Sequence, residues 1–378
     1  MVRVEFFRVG IFLAFSLSTS GVLPADEFAN QLNNLRSVKS NGDGNTRAGD
    51  GWRAIVAADA SRLPEILVAI DGAGPLAANW LRSAVDTIAE RQLHNNGDLP
   101  RQSLEKYILD RSHDPRGRRL AYEWLLRVDP SCADRLLPNM TDDPSVELRR
   151  DAVARLIEQG QLVLKNRPPS AAIAVYRRAL TAARDEDQVR TIAKQLRKLG
   201  EDVNLAQHFG FLMTWNVIAP FDNTERKGFQ AAYPPEKELV LDGVYQGKAA
   251  KVKWLSHTTE DEFGMVDLNV PFGKLKEVVG YAWTPFRCEK EQEVELRIGC
   301  KNAWKLWVNG VLVFERNEYH RGMRMDQYRF PLKLKAGDNQ IVMKLCQNEQ
   351  LEDWTVQWQF QLRVCDATGT AILSDLRH

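Results

Sequence analysis

Near Gly200 the spacing of apolar residues changes from the three-to-four-residue period of a helix to the two-residue period of a strand, so one fold class cannot cover the whole chain. Before that point, Leu76, Trp80, Leu81, Ala84, Val85 and Ile88 form one helical stripe, and Val146, Val153, Ala154 and Ile157 form part of another. Asp114-Pro115, Asp129-Pro130 and Asp143-Pro144 recur 15 and 14 residues apart. Each sets a capping carboxylate before a proline at the first helical position, where the missing N–H is no loss. Gly200 suits the left-handed residue that closes the last long helix.

After Phe209 the pattern is that of half-buried strands. Trp354, Val356, Trp358, Phe360, Leu362 and Val364 are expected on a core face, with Thr355, Gln357, Gln359, Gln361 and Arg363 facing water. Val294, Leu296 and Ile298 form a second apolar face. Asn309-Gly310, between Trp304–Val308 and Val311–Phe314, is the preferred pair for a two-residue type I′ hairpin. Lys335–Asn339 gives a tight turn into Ile341–Leu345. Short strands separated by turns imply an antiparallel sandwich. The expected organisation is therefore multidomain, α then β: a leader over 1–25, an α-helical repeat-like domain over 26–205 and a β-sandwich over 206–378.

The leader rests on Arg3 and Arg8, an apolar run from Val9 to Leu17, and a small residue, Ala25, before Asp26-Glu27. That run is shorter than the ~20 residues needed to span a bilayer. Cleavage after Ala25 is expected, leaving an exported protein, periplasmic or secreted, with no membrane span. The remaining chain carries 49 basic and 49 acidic residues. That balance argues against nucleic acid as a partner. Arg116, Arg118 and Arg119 read as a solvated helix face. Export permits disulfides among Cys132, Cys288, Cys300, Cys346 and Cys365, but five is odd and no C-x-x-C occurs. One or two bridges in the β half are consistent with this, and the pairing is left open.

Three stretches resemble known families. Asp143–Val153 resembles the second half of a HEAT-type repeat, and Ala172-Ile173-x-x-Tyr176-x-x-Ala179-Leu180 resembles one helix of a tetratricopeptide repeat. The series from Trp215-x-Val217-Ile218-x-Pro220-Phe221-Asp222-Asn223 through Phe229, Tyr233-Pro234-Pro235-Glu236, Trp307-x-Asn309-Gly310 and Leu334-x-Ala336-Gly337-x-Asn339 is similar to a third. It is the galactose-binding-like jelly roll found beside glycoside hydrolases and carried by exported planctomycete-type bacterial proteins. The resemblance covers about residues 209–373 and implies a jelly roll that contacts glycan. Where that family often has Gly-Ser-Asp-Asp, this chain has Gly299-Cys300-Lys301-Asn302, and losing both acids removes a cation or sugar-hydroxyl contact from that loop.

Reactive groups do not converge in the sequence. The six histidines are scattered, and H-E-x-x-H, G-x-S-x-G and phosphate-cradling glycine loops are absent. Asn41–Asn45 is similar to a calcium loop, but Thr46 stands where an EF-hand needs glycine, so it reads as a plain loop. Asp261 and Glu262, with Glu260 beside them, are candidates for glycosidase carboxylates only because they fall in an expected loop, and a solvated acidic loop explains them better. No catalytic residue, metal or cofactor is expected. For ligand binding the candidates are Trp307, as a stacking ring, with Asn309 and Arg316 beside it. The expectation is a non-catalytic binding or scaffolding protein. Its helices would meet envelope proteins, and its jelly roll would meet a polysaccharide or another envelope component. A carbohydrate-active enzyme or its accessory subunit, and a purely structural envelope protein, are the alternatives.

Overall fold

The computed structural model describes residues 24–375. The expected leader therefore lies outside the described residues, apart from Pro24 and Ala25. Among the described residues no helix is long and apolar enough to cross a membrane. Two compact units are present, one ending at Ala152 and the other beginning at Val153.

The first unit is helical: α1 (Ala25–Arg36), α2 (Asn45–Val56), α3 (Leu63–Val68), α4 (Pro75–His94), α5 (Arg101–Leu109), α6 (Pro115–Val128), α7 (Cys132–Leu136) and the start of α8 (Val146–Asn166). Helix α1 packs on α2, α3 on α4, and α5 on α6. Small residues on the inner face of α4 (Ala77, Ala78, Ala84 and Ala89) let its neighbours approach, and Phe28, Leu67, Leu81, Ile88 and Leu125 complete the core. Leu76, at the head of the expected α4 stripe, is 47% exposed instead.

The three Asp-Pro pairs behave differently from one another. Asp114 caps α6 as expected, its Oδ1 accepting the Arg116 N–H at 2.9 Å. Asp129 ends α6 and accepts the Ser131 N–H, opening the turn into α7. Asp143 is fully buried and pairs with Arg118, both Asp143 oxygens accepting from the guanidinium at 2.8 Å. This corrects the solvated-face reading of the arginine cluster: Arg118 is an interior residue, while Arg116 pairs with Asp114, and Arg119 with Glu123 and Asp151.

The second unit starts with the rest of α8, then α9 (Pro169–Ala182), α10 (Glu186–Lys198) and α11 (Leu205–Phe209). Gly200, at φ +83°, follows α10, and Glu201 N–H returns to Leu196 C=O. Twelve strands follow: β1 (Thr214–Asp222), β2 (Val244–Gln246), β3 (Lys251–Lys253), β4 (Leu255–Thr258), β5 (Val266–Asp267), β6 (Val278–Cys288), β7 (Gln292–Cys300), β8 (Ala303–Val308), β9 (Val311–Arg316), β10 (Tyr328–Leu334), β11 (Gly337–Gln347) and β12 (Gln359–Cys365). They form an antiparallel six-stranded sheet, β4-β1-β6-β11-β8-β9, a four-stranded sheet, β10-β7-β12-β5, and the ribbon β2-β3. Trp215, Leu296, Ile298, Trp304, Leu306, Trp358 and Phe360 share the inter-sheet core. The α-then-β architecture and the sandwich are as expected.

The outward faces of the two sheets are not solvated as period-two alternation implies. On β12, Gln361 and Arg363 are 4% and 1% exposed. Helices α9–α11 share a core with Phe211 and Phe263, and residues 210–212 exchange backbone hydrogen bonds with β12. Gly210 is obligatory there: its φ is +78°, and a Cβ would stand 2.5 Å from Val364 O. Residues 153–205 therefore pack with the sandwich, so the compact-unit boundary precedes the change of element type near residue 205. On the outer face of the six-stranded sheet, Ile218, Phe221, Phe229, Val252, Tyr281 and Val342 make a second small core.

All five cysteines are buried and free. Within the sandwich, three of them are separated by the layers and strand lengths of the fold. Cys346 faces the outer core of the six-stranded sheet, while Cys288 and Cys300 share the inter-sheet core. Cys288 lies next to the β6–β7 turn and Cys300 at the far end of β7, so the length of a nine-residue strand separates them.

Candidate functional site

Trp307, Asn309 and Arg316 all lie on the β8–β9 hairpin, yet the structure does not bring them together. Asn309 (φ +52°) and Gly310 (φ +79°) form the turn with both residues left-handed, as type I′ requires. The Asn309 side chain is fully employed there, donating to Asn339 Oδ1 at 2.8 Å and accepting the Gln340 N–H at 2.9 Å. Trp307 is half-buried on the outer core of the six-stranded sheet. A register shift follows: Leu306 pairs with Phe314, but Trp307 pairs with Leu312. The bulge puts Phe314 against Trp304, ring centroids 5.3 Å apart, rather than beside Trp307. Arg316 pairs with Trp304 at the other end of the hairpin and donates to Glu318 at 2.6 Å.

The tryptophan that does face solvent is Trp354, 59% exposed. Period-two reading extends β12 back to it, but the strand starts at Gln359, and Asp353–Thr355 is a single 3₁₀ turn. Lys276 holds that turn, its ammonium donating to Thr355 O at 3.0 Å and Thr355 Oγ1 at 3.2 Å. The Trp354 ring stands perpendicular to the His320 imidazole, with centroids 5.6 Å apart and planes at 87°. His320 Nε2 lies 2.5 Å from Asn348 Oδ1, and Asn348 Nδ2 donates to Gln350 at 2.9 Å. Arg226 pairs with Glu349, and its guanidinium lies 5.2 Å from the Tyr319 ring centre. Leu351 is also exposed, at 78%.

This rim holds an unusual backbone. Glu225 (φ +54°), Arg226 (φ +61°), Glu277 (φ +52°) and His320 (φ +55°) are all left-handed without being glycine. Each costs of order 1–3 kcal/mol, and such residues gather where a geometry is held for use. Burial lowers the affinity of His320 and Lys276 for their protons, so both groups titrate below their ordinary values. Chemically the rim presents one flat apolar ring beside an imidazole, with the Gln350 amide, a guanidinium and a carboxylate nearby, while Asn348 is buried beneath and orients His320 and Gln350. Stacking with flanking hydrogen bonds is what it can do.

Other charged groups of the unit are spoken for. Lys344, 0% exposed, donates to Phe229 O, Ala231 O and Glu236 Oε1 at 3.1, 2.7 and 2.8 Å. Tyr281 donates to the same Glu236 oxygen, and burial, with the Glu236 charge, pushes its phenol far above the usual range. Arg363 and Arg297 share Asp326 on the outer face of the four-stranded sheet. Asp261 accepts the Phe263 and Met265 N–H groups within its own turn, and Glu262 pairs with Arg197 at 2.6 Å. Among the described residues no group of three or more His, Cys, Asp or Glu could hold a metal ion.

No family model matches the chain, and no curated protein matches it. Among solved structures the chain is similar to a beta-glucosidase from Kluyveromyces marxianus, at 10% identity and a TM-score of 0.25, over 75% of this chain and 36% of that one. The same enzyme in complex with glucose gives 10% identity and a TM-score of 0.27, over 78% and 37%. The chain thus spans little more than a third of those proteins, and a likeness of this size carries no argument.

Proposed function

We propose that this is a non-catalytic, exported binding protein whose sandwich holds a glycan on the rim around Trp354, while the helical unit serves protein partners. The observation that carries the reading is the exposed Trp354 ring, braced by His320, with Gln350 and the Arg226–Glu349 pair on the adjoining loop and Lys276 holding the turn that carries the ring. A sugar offers C–H faces to such a ring and hydroxyls to such neighbours, and a rigid aromatic anchor costs little entropy to order. The non-catalytic part is supported by the employment of Asp261 and Glu262 in local contacts, which leaves no converging carboxylate pair there.

The test is affinity electrophoresis of residues 26–378 through gels containing neutral or acidic polysaccharides, with reducing-end release assayed on the same panel. Retardation by at least one polysaccharide is expected. Trp354→Ala should weaken it about tenfold or more, and Trp307→Ala should leave it unchanged. Unaltered retardation in Trp354→Ala would remove the rim as the site, and release of reducing ends would overturn the non-catalytic reading.

A further inference from the structure

The segment that supplies His320 to the rim continues into a second feature. A cleft of about 480 Å³ lies beside it, lined by Arg316, Arg321, Arg324, Gln327 and Tyr328. That volume suits one or two sugar residues. Its charge is unbalanced. Among the described residues Glu318 is the only carboxylate on Arg316 and Arg321, and it accepts from both. Asp326, the other carboxylate of residues 316–328, is held by Arg363 and Arg297 on the far side of the segment. Arg324 is exposed and has no hydrogen-bond or ion-pair partner among the described residues. Two guanidinium groups thus share one carboxylate and a third has none, leaving an excess of two positive charges around the cleft.

The remaining lining suits a sugar acid better than a bare ion. The Arg316 guanidinium lies 5.7 Å from the Tyr328 ring centre, so an aromatic wall stands next to the charge. Gln327 donates to Gly322 O at 3.0 Å, closing the loop on itself and holding the arginines on one short arc. Guanidinium forks match the two-oxygen geometry of a carboxylate or a sulfate.

We infer that this cleft receives the acidic group, a uronate carboxylate or a sulfate ester, of an acidic polysaccharide. The inference deepens the glycan reading and rests on it for the nature of the polymer, but it uses different residues. Residue 320 belongs to the rim and residue 321 to the cleft, so the two lie side by side along one strand-to-strand connection.

The experiment compares retardation by polygalacturonate, dextran sulfate and unmodified dextran for the full chain from residue 26. The variants are Arg324→Ala, Arg321→Gln, their double, and Trp354→Ala. Lys251→Ala, on an exposed ribbon position, controls for bulk charge, and thermal unfolding controls for folding. Acidic polymers are expected to bind about tenfold tighter than dextran, and the double variant to lose that preference while keeping any binding of dextran. Preference for only polygalacturonate or only dextran sulfate identifies the acidic group. Equal binding of acidic and neutral polymers, or a preference untouched by the double variant, overturns the inference and leaves the rim reading standing. Arginine-dependent acidic binding that Trp354→Ala does not weaken does the reverse. Failure of every polymer to bind overturns both.

Discussion

Arg118 and Asp143, 25 residues apart in the chain, meet as a two-pronged pair in which each side chain is 1% exposed. Arg118 Nε also donates to Ile108 O at 2.7 Å, and Arg149 donates to Asp143 O, so the pair ties α5, α6 and the start of α8 together. In the sandwich, Arg363 and Arg297 hold Asp326 of the 316–328 connection in a similar buried cluster.

Removing one member of the Arg118–Asp143 pair strands a charge in the interior. Asp143→Ala is expected to destabilise the helical unit by about 3–5 kcal/mol, read from the urea midpoint of the far-ultraviolet circular dichroism signal. Replacing both residues by apolar ones of similar volume should recover most of the loss. A cost below ~1 kcal/mol for Asp143→Ala would mean that water reaches Arg118 after all.

Lys344 and Glu236 make the corresponding test in the sandwich, where Lys344 is 0% and Glu236 13% exposed. Glu236→Ala leaves the ammonium with two backbone carbonyls and no counter-charge, and should cost about 3 kcal/mol or more. Lys344→Met in the same background should restore stability, because it removes the charge and keeps the chain length. The readout is the tryptophan fluorescence midpoint in urea. An additive double variant, with both losses summed, would refute the coupling.

His208 supplies a pH signature. Burial pushes its pKa down to about 4 from 6.5, and the Arg184 and Arg363 guanidinium groups push the same way against the Ala183 carbonyl, 3.0 Å from Nε2. Between those values the unfolded chain holds a proton that the folded chain does not. Stability therefore rises with pH across that window, and about 3 kcal/mol is lost on acidification from neutral pH to pH 4. His208→Gln should flatten that part of the curve in urea titrations at pH 7 and pH 4.5. An unchanged slope in the variant would assign the acid sensitivity elsewhere.

Much of the architecture was legible in the chain. The change of period near Gly200, the capping by Asp114, the left-handed closure at Gly200 and the Asn309-Gly310 turn are local choices of backbone and short-range hydrogen bonding, and each is found where it was expected. The candidate rim was not legible. Alternation carried β12 back to Trp354, but Lys276, nearly eighty residues away in sequence, holds residues 353–355 in a turn and lifts that ring out of the core. One extra residue at the β9 bulge sets Phe314 opposite Leu306 and Leu312 opposite Trp307, which strict alternation along β9 does not foresee.

The sequence by itself determined where helix gives way to strand, where several elements stop, and which face of β7 and β12 enters the inter-sheet core. Those outcomes follow from periodicity and from the left-handed positions that glycine and asparagine accept. Only the tertiary structure decided the fate of the other face. Gln361 and Arg363 are buried because α9–α11 lie over β12, Lys344 because residues 229–236 fold across β11, and Trp354 is exposed because none of the described segments covers it. A polar residue on a strand reads as solvated until a distant segment brings it a partner, and that meeting is a property of the packed chain rather than of its neighbours in sequence.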